Sequence, residues 1–205
     1  MEIRRTGNAG ILLTMDGVQI LLDGVCREIS PYLATPPEEW QRLTSRWPDA
    51  VCVTHTHEDH CHPDYVAAYR AATGREILTG EGQVGKLRIS GIPTRHLGKA
   101  GADTAHCSYA VEGSKTLWFM GDAAPTQIKK MAKLPNPDVL VVPFSFLASE
   151  GAVQLLKAYL PCAIVLVHMP HPDNDPDGIW NAVAPGMEQL KEFIYAPAVG
   201  EIITL

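Results

Sequence analysis

The chain has 205 residues, 46% of them hydrophobic and 20% charged, with a formal net charge of -6. That length suits a single domain spanning 1–205, able to bury roughly 70% of the surface its unfolded form exposes. The composition excludes a disordered chain, and the acidic balance, without any run of clustered Lys and Arg, argues against nucleic acid as a partner.

From the start, Met1-Glu2-Ile3-Arg4-Arg5 passes at once into Gly7-Asn8-Ala9-Gly10, without the apolar core of a signal peptide, and no apolar span long enough for a membrane follows. The cysteines (Cys26, Cys52, Cys61, Cys107 and Cys162) are odd in number and show no C-x-x-C pair, so a disulfide framework is not expected. A cytoplasmic protein without a membrane anchor is the expectation. Ile11-Leu12-Leu13-Thr14 and Val18-Gln19-Ile20-Leu21-Leu22 flank Met15-Asp16-Gly17, a hairpin signal, and the second strand ends at Asp23-Gly24. Thr35-Pro36-Pro37-Glu38 reads as a capping box with proline at the first helical position, starting a helix through Trp40 and Leu43 to about Ser45, closed by Trp47-Pro48.

Ala50-Val51-Cys52-Val53 has the length of a buried strand, and Thr54-His55-Thr56-His57-Glu58-Asp59-His60-Cys61-His62-Pro63 follows directly. These ten residues hold four of the eight histidines. Neither a helix nor a strand gains stability from such a run, whereas imidazole and carboxylate together make a borderline metal site. On an extended backbone His55 and His57 point to the same side, and Asp59 and His60 follow as the chain turns toward a helix. A solvated polar loop is the plainer alternative, but the other four histidines also lie between positions 55 and 171, beside other expected strand ends. Several strand ends converging on one point is how an α/β protein builds a binding crevice.

A helix led by Pro63 is expected to run through Tyr65, Val66 and Tyr69 until Thr73-Gly74. Strands follow over Glu76–Thr79 and Leu87–Ile92, the latter delivering Pro93-Thr94-Arg95-His96. A loop then reaches His106, and Tyr109–Glu112 with Lys115–Met120 forms a second hairpin ending at Gly121-Asp122. Val139–Val142 is a buried strand. Ser149 caps a helix carrying Val153, Leu156 and Leu160, which Pro161 ends. Ala163–Val167 is another buried strand, ending at His168. Met169–Gly178 is a proline-rich loop, and a helix over about Met187–Ile194 and a strand over Glu201–Leu205 complete the chain.

The pattern His55-x-His57-x-Asp59-His60 resembles the signature of the metallo-β-lactamase superfamily, and the landmarks that accompany it run from about position 8 to the C-terminus. The resemblance implies an α/β (α+β) fold, a four-layer αββα sandwich with two mixed sheets. It also implies two divalent ions, zinc first with manganese or iron as alternatives. One ion is held by His55, His57 and a later histidine, the other by Asp59, His60 and His168, with Asp122 bridging. A hydroxide bridging the ions would cleave an ester, lactone or phosphoester bond of a small, possibly anionic substrate, and Asp59 is the expected catalytic residue. A homo-oligomer is compatible with all of this.

The later histidine is His96 or His106. The Gly-His-Thr-x-Gly-His run of many members is absent, and aligned on it His106 matches the non-ligand while Ala102 takes the ligand's place. The short layout instead resembles the compact branch containing ascorbate-6-phosphate lactonase, in which the ligand follows a strand, as His96 does. His106 then becomes a supporting or pocket residue, as do Asp23 at its strand end and His171. Cys61 reads as an ordinary thiol and His62 as a helix cap. Specificity is expected in the loops Gly24–Thr35, Lys99–Thr104 and Met169–Gly178. Three other readings stay open: a metal-binding protein without turnover, a di-iron redox protein, and a nuclease, for which the chain lacks the basic face and the added domain that such members usually carry. The second is disfavoured because such members carry glutamate where this chain has His57, together with an added flavin domain.

Overall fold

In the computed structural model, described for residues 1–98, 103–160 and 162–205, two mixed sheets are stacked face to face with helices on both outer surfaces. The first sheet contains β1 (Glu2–Arg5), β2 (Ile11–Met15), β3 (Val18–Leu22), β4 (Ala50–Cys52) and the C-terminal β12 (Ile202–Thr204), in the order β12-β1-β2-β3-β4. The second contains β5 (Gly82–Val84), β6 (Leu87–Arg95), β7 (Ala105–Glu112), β8 (Thr116–Phe119), β9 (Val139–Pro143), β10 (Ala163–Val167) and β11 (Ile194–Tyr195), in the order β11-β10-β9-β8-β7-β6-β5. Neighbours from β5 to β8 pair antiparallel and those from β8 to β11 pair parallel. The αββα sandwich implied by the sequence is therefore what forms.

Strand alternation builds the layers. On β3, Ile20 and Leu22 face the second sheet, while Leu21 faces α1 (Pro37–Ser45) and α2 (Pro63–Thr73) beside Leu43, Tyr65 and Tyr69. On β9, Val139 and Val141 point to the inter-sheet core. Leu140 and Val142 point outward to α3 (Glu150–Lys157), α4 (Ile179–Gln189) and a 3-10 helix over Pro125–Lys133. Buried on both faces, β9 and β10 read as unbroken apolar runs.

Several local expectations need correction. Thr35 does not cap α1: Pro36 occupies the N-cap, and the Thr35 hydroxyl instead accepts from Cys26 N at 3.0 Å. Glu76–Thr79 forms no strand, only an isolated bridge between Leu78 and Cys52. The last helix starts near Ile179 rather than Met187, because the Asp175 carboxylate accepts from Ile179 N and Trp180 N at 2.8 and 2.9 Å and so satisfies its first turn. Pro185 sits inside that helix, which is why the sequence pattern suggests a later start. Ala102, Pro161 and most of the loop Lys99–Thr104 lie outside the described residues. Among the described residues no helix is long and apolar enough to cross a membrane.

Candidate metal centre

Four strands deliver the site from one edge of the sandwich. The segment after β4 carries His55, His57, Asp59 and His60, His96 follows β6, Asp122 follows β8, and His168 follows β10. Among the described residues, two of the three non-glycine positions with left-handed φ, Asp23 at 47° and His168 at 57°, sit here. Such conformations persist only where surroundings enforce them. His168 N donates to Asn8 O at 3.0 Å, and Leu97 N donates to Asp122 O at 2.7 Å, so separate strand ends are pinned to one another. Gly121 is obligatory beside Asp122: its φ is 53°, and a Cβ there would lie 2.7 Å from Thr54 Cγ2 and 2.9 Å from His106 Nε2.

Asp23 organises the floor. It is 1% exposed. Its Oδ1 accepts from Thr54 N at 2.7 Å, its Oδ2 accepts from the Thr54 hydroxyl at 2.6 Å, and His60 Nδ1 stands 2.8 Å from the same Oδ2. A carboxylate only accepts, so His60 Nδ1 carries a proton and the single hydroxyl proton of Thr54 goes to Asp23. The Thr54 oxygen then accepts from His55 Nδ1, 3.0 Å away. Both imidazoles are thereby oriented with Nε2 toward the cavity. His96 reaches the same state through Nδ1, which donates to Leu97 O at 2.7 Å.

Seven side chains converge there. Donor atoms of His55, His57 and His96 fall within 4.8 Å of one another, and so do those of Asp59, His60 and His168. Asp122 stands between the two groups. Its Oδ1 is 3.3 Å from His60 Nε2, and its Oδ2 is 3.6 Å from His96 Nε2 and 3.4 Å from His168 Nε2. Asp59 Oδ2 lies 3.2 Å from His168 Nε2 and 3.4 Å from the Asn8 amide nitrogen, which donates to it. A third group of Asp23, His55 and His60 is equally close. Both Asp23 oxygens are already spent on hydrogen bonds, so it supports the others rather than adding a site.

The donor set fits divalent cations. His60 Nε2, His96 Nε2, His168 Nε2 and Asp122 Oδ1 are buried without a hydrogen-bond partner, an arrangement that costs free energy unless something binds them. His55 Nε2 and His57 Nδ1 face each other at 3.0 Å. That is close to the separation of about 3.3 Å expected of two nitrogens on one tetrahedral ion at ~2.0 Å. The electrostatics agree. Burial alone would lower the pKa of His60, but Asp122 and Asp23 outweigh it and hold that pKa well above the ordinary value. Burial likewise opposes the ionised form of Asp122, yet His168 and His60 keep its pKa well below the carboxylate range. His55 is pushed far down by burial and by His60. Burial would lower the His168 pKa too, but Asp122 raises it above the ordinary value, so positive charge is favoured beside these carboxylates, as a bound cation would supply it.

The structure groups His96, not His106, with His55 and His57. His106 sits behind Gly121: its Nδ1 pairs with Thr94 Oγ1 at 2.7 Å, and Thr94 Oγ1 pairs with Ser108 Oγ at 2.9 Å. Burial pushes its pKa down to about 4. His171 is half exposed and lies outside the convergence, with Nδ1 accepting from Asp173 N. His62 occupies the N-cap position of α2 without a side-chain capping bond, and its ring packs edge-on to Trp40 at 5.0 Å. Cys61 is half-buried and joins neither metal group. Asn8, Thr54 and Tyr32 carry no mark of their roles in the sequence. The Tyr32 ring meets His168 edge-on at 4.3 Å and closes one wall of a cavity of about 210 Å³ over Asp59, His96, Asp122 and His168, opposite Phe144 and Ser145.

Residues 2–171 match the family described as the beta-lactamase superfamily domain. The chain belongs to this superfamily. No curated protein sequence matches it. Among solved structures it is similar to a possible metal-dependent hydrolase from Veillonella parvula, with a TM-score of 0.76 at 16% identity over 100% of this chain and 99% of that one. It is also similar to the isothiocyanate hydrolase from Delia radicum gut bacteria, with a TM-score of 0.73 at 20% identity over 100% and 99%. CmlA, a diiron beta-hydroxylase from Streptomyces venezuelae, has a TM-score of 0.66 at 13% identity, and the match covers 100% of this chain but 54% of CmlA. At these identities the likenesses establish the fold that this superfamily member shares with them.

Proposed function

We propose that this superfamily member is a metal-dependent hydrolase of a small, anionic substrate carrying an ester, lactone or phosphoester bond. The observation that carries the reading is the convergence of two triads, His55/His57/His96 and Asp59/His60/His168, on either side of Asp122. In the proposed assignment each triad would hold one ion, zinc first with manganese or iron as alternatives, with Asp122 within reach of both triads. Divalent ions held there would supply acidified water and a polarised substrate oxygen. The protein's own part is orientation. Asp23 fixes His60 directly and His55 through Thr54, the Leu97 carbonyl fixes His96, and Asn8 steadies Asp59.

Asp59 is the proposed catalytic residue, because its carboxylate borders both His168 and the cavity. The cavity is small, which favours a compact substrate, and Tyr32, Phe144 and Pro143 line it beside the metal-ligand candidates. The neighbours include a possible metal-dependent hydrolase and an isothiocyanate hydrolase but also the diiron hydroxylase CmlA, so what favours hydrolysis over redox chemistry is His57, at the position where di-iron redox members carry glutamate. The finer placement beside ascorbate-6-phosphate lactonase rests on the short segment from His96 to β7.

The test is to load the protein separately with zinc, manganese and iron and assay lactones, thioesters, phosphomonoesters and phosphodiesters. Metal-dependent turnover of at least one class, lost in Asp59→Ala, is expected. Stoichiometric metal with turnover of none would favour a binding protein instead.

A further inference from the structure

A second cavity, of about 490 Å³, adjoins the metal centre without sharing its ligands. The two share walls: Tyr32 and His168 line the metal-site cavity, and their chain neighbours Leu33 and Met169 line the second. Its volume falls within the range of small-molecule sites, roughly 300–1,000 Å³. Its surface is largely apolar, built from Leu33, Met169, Trp180, Pro197 and Val199. Leu33 and Val199, at 51% and 39% exposure, are among the few large hydrophobic side chains left open to solvent. A concave, mostly apolar site with a few convergent polar groups is the usual form of a small-molecule site.

Its polar lining is Arg5, Asn8 and His171, and of these Arg5 carries the permanent charge. The guanidinium donates to Gly7 O, Pro197 O and Asn8 O at 3.1, 2.9 and 3.1 Å, all backbone carbonyls. Two of its five N–H groups therefore remain unassigned. Among the described residues it meets no carboxylate, and no Asp or Glu lines the cavity. Burial without a counter-ion lowers its pKa to about 10. The nearby acidic groups are committed elsewhere: Asp175 caps α4 at Ile179 and Trp180, and Glu201 accepts from Ala198 N. A hydrogen-bonded guanidinium without a counter-ion in the lining of an apolar cavity is complementary to a carboxylate or phosphate attached to an apolar body.

We propose that this cavity binds an amphipathic organic anion, its charged group on Arg5 and its apolar body against Trp180, Leu33 and Val199, at a site separate from the metal ligands. The site stands whether or not the metal centre hydrolyses anything.

The probes are 4-phenylbutyrate, 4-phenylbutyl phosphate and the neutral 4-phenyl-1-butanol, titrated calorimetrically into metal-loaded protein. Saturable binding of at least one anion is expected, tenfold or more tighter than the alcohol, and the tighter of the two anions identifies the head group. Arg5→Gln should erase that preference of acid over alcohol. Ala198→Trp, which narrows the cavity from an exposed position, should remove binding of all three probes while Arg5 stays intact. His96→Ala, which disturbs the metal centre, should leave anion binding in place. The proposal is overturned if neither anion binds saturably, if acid and alcohol bind alike, or if binding survives Arg5→Gln and Ala198→Trp. It is also overturned if His96→Ala alone abolishes binding, which would put the anion on the metals.

Discussion

Replacing Asp23 by Asn tests how the floor of the site works. The wild-type carboxylate accepts from Thr54 N, from the Thr54 hydroxyl and from His60 Nδ1. Asparagine tolerates the left-handed φ of 47°, keeps a carbonyl oxygen for Thr54 N and adds no bulk, so the fold should survive. Its amide, however, presents N–H where the acceptor was. His60 must then accept at Nδ1, which moves its proton to Nε2 and blocks the atom that faces Asp122. The Thr54 hydroxyl must also turn, which removes the acceptor that orients His55. Losing such supporting bonds typically weakens metal binding 10- to 100-fold, or about 1.4–2.7 kcal/mol. Chelator competition, with each ion counted, reads the affinity, and circular dichroism checks the fold. Asp23→Asn binding both ions as tightly as wild type would refute the tautomer argument.

His96→Ala should lose the ion shared with His55 and His57, while His106→Ala keeps it; metal analysis after dialysis showing the reverse would exchange their roles. Asp59→Ala should reduce hydrolysis to background with an unchanged far-ultraviolet spectrum, and near-wild-type turnover would remove Asp59 from the mechanism. Glu39→Gln breaks the buried contacts of α1 with Arg4 on β1, where Arg4 Nε donates to Glu39 at 2.8 Å, and should cost ~1.5–3 kcal/mol at neutral pH by denaturant unfolding. Hydrogen bonding to Arg4 holds the Glu39 pKa below its ordinary 4.5. The stability it supplies is therefore complete above that value and is lost as pH falls below it. Wild type should accordingly lose more stability than Glu39→Gln between pH 6 and pH 3, and parallel curves would contradict the linkage.

What was legible in the sequence is what local chemistry encodes. The run from His55 to His60 is unmistakable because six polar ligand-type and spacer residues follow a buried strand, and Asp122 and His168 are legible because each ends an apolar run. The αββα layering followed from the resemblance, and strand alternation realises it. His96 needed the fold: the bridge to Ala123, the Leu97–Asp122 bond and the Ala124–Arg95 bond bring the end of β6 beside the Asp122 turn. Asn8 and Tyr32 were invisible because their partners lie 51 and 136 positions away, Asp59 and His168 respectively, and no short motif marks them. The late start expected for α4 failed because an ordinary-looking Asp175 in a proline-rich loop supplies the cap.

The central claim, two ions held by seven named side chains, is tested most directly by elemental analysis of the purified protein after reconstitution and removal of free metal. Close to two ions per chain is the predicted result, falling to about one in Asp59→Ala and in His96→Ala separately. Well under one ion per chain in the wild type would contradict the account.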